Sequence, residues 1–136
     1  MIKKANSYPS NFMFYLQEKL EKVLYEINKK GDFEASIIST LEGLSVASIS
    51  SQYDDVTMAA ISSLVREVSK KAETNIGFKK MDEVSLVDND KFRLVCREFE
   101  MGERKFILTV VVPPYKSYRR LTNFAIKEIN KIMGGK

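Results

Sequence analysis

Two carboxylate pairs, Asp54 with Asp55 and Asp88 with Asp90, are the residues of this 136-residue chain whose type and spacing come nearest to chemistry. Closely spaced carboxylates can hold Mg²⁺ or Ca²⁺ through hard oxygen ligands. Asp54 and Asp55, however, precede an apolar-periodic run, where they supply a capping oxygen and negative charge to a helix start. Asp88-Asn89-Asp90 has the composition of a hairpin tip. Both pairs are expected to be structural. Cys96 is the single cysteine. As a nucleophile it would need an activating base, and Arg93 and Arg97 beside it are strand neighbours, so a packed thiol is expected. The chain has no histidine, which removes the commonest general base and metal ligand. Zinc would need several Cys or His ligands. There is no Gly-rich phosphate loop and no dinucleotide fingerprint; Gly43, Gly77 and Gly102 stand singly, as turn glycines. No catalytic residue, cofactor or metal is expected, and the chain is not expected to be an enzyme.

The charge is 22 basic against 18 acidic residues, net +4, spread along the sequence. A nucleic-acid groove would show clustered Lys and Arg interleaved with aromatics. The nearest approach is Lys116, Arg119 and Arg120 at the start of the last helix, where basic charge opposes the helix dipole; no nucleic-acid partner is expected. Hydrophobic residues make up 44% and charged residues 29%, enough apolar material for one core without disulfides. No apolar core region follows Lys3 and Lys4, so a signal peptide is not expected. No run approaches the roughly 18–20 apolar residues of a membrane span, and lipidation motifs are absent. The expectation is a soluble cytoplasmic protein with no direct membrane insertion.

The elements that would position these residues follow from hydrophobic periodicity. Residues 1–11 read as a flexible N-terminal segment and 12–136 as one domain. Phe12, Leu16, Leu20, Val23, Leu24 and Ile27 make a helical stripe over Phe12–Lys30, ended by Gly31 as the left-handed residue. Strands are expected at about 34–41 and 44–50, joined at Glu42-Gly43, where glycine supplies a positive φ. A second helix starts at Asp54-Asp55 and ends at Gly77; Met58, Ile61, Val65, Val68 and Ala72 follow one line, with Leu64 beside it. That apolar face is broader than one sheet contact needs. Strands follow at about 80–87, 91–99 and 105–112, with turns at Asp88–Asp90 and Met101–Glu103. Phe106–Val112 is apolar on both faces, as a central strand is. Met81–Val87 alternates loosely, as an edge does, and Pro113-Pro114 stops the sheet. The last helix runs from about Ser117 to Met133.

This order, α-β-β-α-β-β-β-α, resembles the roadblock (dynein light chain roadblock) family over about Phe12 to Met133. Glu42-Gly-Leu-Ser-Val-Ala-Ser is similar to the family's hairpin, in which an acidic residue and glycine precede Leu, although Ser45 stands where many relatives have proline. The opening of the second helix, Asp54-Asp-Val-Thr-Met-Ala-Ala, is similar as well. The resemblance implies an α+β fold: a five-stranded antiparallel sheet with one helix on one face and two on the other. It implies dimerisation through the second helix and third strand, and a scaffolding or regulatory role toward a small Ras-like GTPase.

On that basis the chain is expected to be a homodimer, with Met58, Ile61, Ser62, Val65 and Ser69 near the two-fold and Val84 and Leu86 on the neighbouring strand. The GTPase surface is expected at Gln52, Tyr53, Arg66, Glu67 and Lys70, because these lie off the apolar stripe. Arg66 is the foremost of them, since guanidinium can grip acidic groups bidentately. The alternative is a vesicle-adaptor or ligand-sensing domain of longin- or profilin-like fold, or a dynein-type motor adaptor. A longin domain starts on a strand, and a small-molecule sensor needs clustered buried polar residues; this sequence starts on a helix and shows no such cluster.

Overall fold

The computed structural model describes residues 10–50 and 52–134. Its elements are α1 (Ser10–Gly31), β1 (Ala35–Thr40), β2 (Ser45–Ile49), α2 (Asp55–Ile76), β3 (Val84–Val87), β4 (Arg93–Met101), β5 (Arg104–Val112) and α3 (Arg119–Gly134). The element order is the one expected from the sequence. The segment expected to be flexible, 1–11, lies outside the described residues except for Ser10 and Asn11, which already belong to α1.

The strands form one antiparallel sheet in the order β2-β1-β5-β4-β3. β5 is central because every residue from Phe106 to Val112 is buried, so both faces need cover. On one face α1 and α3 supply it: Leu20, Leu24, Ile27, Ala125 and Ile129 pack on Ile38, Val95, Leu108 and Val110. On the other, α2 works alone, setting Met58 and Ala59 against Ala35, Ile37 and Val111, and Val65 against Cys96 and Ile107. Each fully buried aliphatic side chain of this kind contributes about 1.5–3 kcal/mol. The fold is therefore α+β, with one helix on one face of the sheet and two on the other.

Four details differ from the sequence reading. First, Gly31 is not the left-handed residue: Asp32 is, at φ 59°, and Phe33 N–H closes the helix end on the Asn28 carbonyl at 3.0 Å. Gly31 is needed for space instead, because a Cβ there would lie 2.5 Å from the Phe33 ring and 2.7 Å from Leu121. Second, β3 covers only Val84–Val87. The residues before it are held by side chains rather than by a ladder: Met81 N–H donates to Glu73 at 2.8 Å, and Glu83 accepts from Arg119 and Tyr118. Third, Met101 ends β4, and Gly102, at φ 63°, makes the following turn. Fourth, the inward line of α2 is Met58, Ser62, Val65 and Ser69, not one running through Ile61 and Val68.

Candidate protein-interaction surface

α2 begins where Asp54 turns its carboxylate back on the first turn, accepting from Thr57 N–H at 3.2 Å and Thr57 Oγ1 at 2.7 Å. Those bonds hold the Asp54 carboxyl below its ordinary range. From there the 3.6-residue repeat directs positions 58, 62, 65 and 69 at the sheet. Two of them are serines, and their small volume lets the helix lie close. Ser62 Oγ donates to the Met58 carbonyl at 2.8 Å and shares a 2.6 Å hydrogen bond with Thr109. The apolar residues left over, Ile61, Leu64 and Val68, fall on the flank and are 39, 61 and 65% exposed.

Beside that flank runs β3, which pairs only with β4; its outer edge has no ladder partner among the described residues. Leu86 and Val87 are exposed on it. Between α2 and β3 lies a groove of about 700 Å³. Thr57, Met58, Ile61, Leu86, Leu94 and Val111 line it, and Glu34, Asp54, Asp88 and Asp90 stand along it with Arg93 as the one cation among the described residues that line it. Tyr53 is at the mouth. Burial pushes its hydroxyl pKa up, and the negative Glu34 and Asp88 push it further.

The residues singled out from the sequence separate into distinct groups. Met58, Ser62, Val65 and Ser69 are buried against their own sheet within the single chain, and Met58 also lines the groove. Ile61 and Leu86 are exposed at the groove, and half-buried Val84 packs instead against the cluster of Val65, Cys96 and Ile107. Gln52 and Tyr53 sit at the mouth. Arg66 is corrected: it is half-buried and faces Glu98 of β4 at 3.4 Å, instead of standing free in solvent. Glu67 and Lys70 are exposed. Asp88 accepts from Asp90 N–H and Phe92 N–H, each at 2.9 Å, a turn-closing role. Cys96 is buried and its thiol pKa is pushed up by desolvation. No group of three or more candidate metal ligands comes together among the described residues, and no described helix is long and apolar enough to cross a membrane.

No protein-family model matches the sequence, and no curated protein matches it. Solved structures do match its fold. The Roadblock/LC7 domain from Streptomyces avermitilis superposes with a TM-score of 0.67 at 14% identity, covering 82% of this chain and 91% of that one. The fold is that of a roadblock domain. Myxococcus xanthus MglB is similar at TM-score 0.71 and 18% identity, over 87% of this chain and 97% of that one. The gliding protein MglB from Thermus thermophilus is similar at TM-score 0.73 and 14% identity, over 89% and 93%.

In this roadblock fold two of the three basic residues at the start of α3 are engaged within the chain. Arg119 binds Glu83 at 2.7 Å and also Asp82, which raises its pKa and lowers that of Asp82. Lys116 faces Asp32 at 3.7 Å, and Arg120 is exposed. Sequence reasoning missed Arg97. It is buried on the α1/α3 side of the sheet, donating to Thr122 at 2.9 Å and Asn123 at 2.5 Å, with Asp82 3.5 Å away. The available signal was a guanidinium inside an otherwise buried strand, which demands partners. Together Arg97 and Arg119 fasten the approach to β3 onto α3, and so fix the strand that borders the groove.

Proposed function

We propose that this chain is a non-enzymatic, homodimeric roadblock module of the cytoplasm that binds a small Ras-like GTPase and scaffolds or regulates it. The observation that carries the dimer is the juxtaposition of an unpaired β3 edge with the exposed Ile61, Leu64 and Val68 flank. A bare edge and an apolar stripe side by side invite association, and a two-fold axis would satisfy both at once. The GTPase rests on the roadblock fold and on what the family resemblance implies. A longin-like adaptor is less well supported, because a 22-residue helix precedes the first described strand.

The GTPase surface we favour is the solvent face of α2 with the β1–β2 hairpin tip. Gly43, at φ 98°, brings the tip against Ala59, Ala60 and Ser63, and Ser63 donates to the Leu41 carbonyl at 2.7 Å. Leu44 and Val56, each 67% exposed, lie on this face with Glu67 and Lys70, and Gln52 and Tyr53 extend it to the groove mouth. The test is affinity capture from the source cells in the presence of a non-hydrolysable GTP analogue, with mass spectrometry of what is retained. A Ras-like GTPase should be held by the wild type and lost with Leu44→Asp/Val56→Asp, while light scattering still shows a dimer. A monomer at tens of micromolar, or a GTPase held equally by the variant, overturns the respective part.

A further inference from the structure

We propose that the outer face of α1 and α3 docks on an anionic lipid membrane, adsorbing at the headgroups without any described helix crossing the bilayer. This face lies across the sheet from the proposed dimer and GTPase contacts and needs neither of them.

Charge is segregated between the two sides of the molecule. α1, α3 and the four residues that lead into α3 carry nine basic and four acidic residues, whereas the other described residues carry ten basic and fourteen acidic. All nine of these cations are exposed, and three of the four acids are half-buried. Four of the cations are paired: Lys30 with Glu26, Lys116 with Asp32, Lys131 with Glu128, and Arg119 with Glu83. Lys19, Lys22, Lys29, Arg120 and Lys127 have no ion pair among the described residues. In the first turn of α3 the charge of Arg120 also opposes the helix dipole, and no ion pair offsets that cost.

These cations share one broad face with exposed aromatic rings. On α1, Leu20, Val23, Leu24 and Ile27 are buried, so the helical repeat turns Phe14, Lys22, Tyr25 and Lys29 outward. Phe14 and Tyr25 are 70 and 58% exposed. Lys19 lies 5.1 Å from the Tyr15 ring and Lys29 6.0 Å from the Tyr25 ring, so cation and ring are presented together. On α3, Ala125 and Ile129 are buried, which sends Arg120, Asn123, Lys127 and Lys131 outward with no exposed acid among them. The helices lie side by side, with Gly31 close against Leu121 and Lys30 5.7 Å from the Phe124 ring, so the two basic rows join. A broad basic face with protruding rings matches an acidic membrane. Its cations are drawn to the lipid phosphates, and its rings enter the boundary between headgroups and acyl chains. A nucleic acid is less well matched: a single strand is tracked by a positively charged groove, and the groove of this fold lies on the other side of the sheet, lined with acids.

Vesicle flotation with the full chain tests this. Phosphatidylcholine vesicles holding about 30% phosphatidylserine should carry the protein with them, and pure phosphatidylcholine vesicles should not. Binding should be strong at about 0.1 M salt and lost at about 1 M, where screening shortens to a few ångströms. Lys22→Glu/Lys29→Glu/Lys127→Glu should lower partitioning by about a hundredfold or more with an unchanged melting curve, since all three side chains are exposed and unpaired. The chain has no tryptophan, so Phe14→Trp introduces a single reporter. Its emission should shift to the blue on the acidic vesicles and be quenched by brominated acyl chains. A wild type that does not float with acidic vesicles, a triple variant that floats equally well, or a tryptophan emission that does not shift overturns the proposal. If the wild type binds a single-stranded oligonucleotide but not the vesicles, and the triple variant loses that binding, the face is a nucleic-acid site instead.

Discussion

Leu64 and Val65 are neighbours in sequence and opposites in environment, 61 and 8% exposed, so truncating each to alanine separates association from folding. Fully burying a leucine contributes about 1.5–3 kcal/mol. With 61% of Leu64 still open, dimer contact would add about 1–2 kcal/mol per copy. A two-fold interface uses the residue twice, giving about 2–4 kcal/mol per dimer, or roughly a 30- to 1,000-fold change in Kd. Leu64→Ala should therefore raise Kd by an amount near the lower end of that range, with the stability of the dissociated chain almost unchanged. Val65→Ala removes two buried methyl groups from the contact with Cys96 and Ile107. It should lower the chain's own stability by about 2 kcal/mol and shift Kd little. Sedimentation equilibrium gives Kd, and urea unfolding below Kd gives monomer stability. A Leu64→Ala protein that dimerises as tightly as the wild type would refute the assignment of the flank, whatever the oligomer's cause. A Val65→Ala protein that loses the dimer but keeps its stability would mean the helix is rotated from the orientation described.

Arg66→Glu should act on stability before it acts on any partner: it sets a second carboxylate beside partly buried Glu98 and should cost about 1–2 kcal/mol. Urea midpoints check this, and a neutral result would free Arg66 for a binding role. Cys96 should resist an aromatic disulfide reagent in the folded protein and react at once in guanidinium. Because its folded thiol titrates above the ordinary value, the stabilising effect of its remaining neutral is complete below that value and is lost as pH rises through the folded pKa, so alkaline melts should show a decline that Cys96→Ala lessens. The Asp82 carboxyl, lowered first by its bond to Arg119, has the opposite sign. Its contribution is complete above the ordinary carboxylate range and disappears as pH falls through the folded value. Hydrogen exchange at Met81–Val87 should therefore accelerate below that range in the wild type, and at every pH in Arg119→Ala.

The fold was legible because its strongest signals were local and periodic. The Leu20, Val23, Leu24 and Ile27 stripe of α1, the unbroken apolar run of β5 and the positive-φ glycines at 43 and 77 each depend on residues close together in sequence, and each stands as read. The orientation of α2 was not legible in the same way. Its apolar residues occupy two adjacent strips, and hydrophobicity alone assigns Ile61 and Val68 to the core. The structure assigns Ser62 and Ser69 instead, because closeness to the sheet, with Thr109 opposite Ser62, outweighs apolarity at those positions. Arg66 was misjudged for a related reason: its partner Glu98 is 32 residues away, and no local rule pairs them. The clasp of Arg97 and Arg119 on Asp82 and Glu83 is likewise long-range, and it shortened β3 from the span its sequence suggested.

The serines explain why the surface exists at all. A helix that covers one sheet face alone would ordinarily turn all of its apolar residues toward it. α2 instead meets the sheet through Met58, Ser62, Val65 and Ser69, with one hydroxyl satisfied by Thr109 and the Met58 carbonyl and the other by the Arg66 carbonyl at 2.8 Å. Small polar residues that make their own hydrogen bonds cost little in that position and draw the helix close. Ile61, Leu64 and Val68 are then surplus to the domain's own packing. Ile61 lies at the groove beside Leu86 of β3, and Leu64 and Val68 continue its strip along the helix at steps of three and four. A stripe of three large aliphatics in water is unfavourable for an isolated chain, and nothing in the domain's own core requires it. Its physical justification lies in a second surface, the one the proposed dimer would supply.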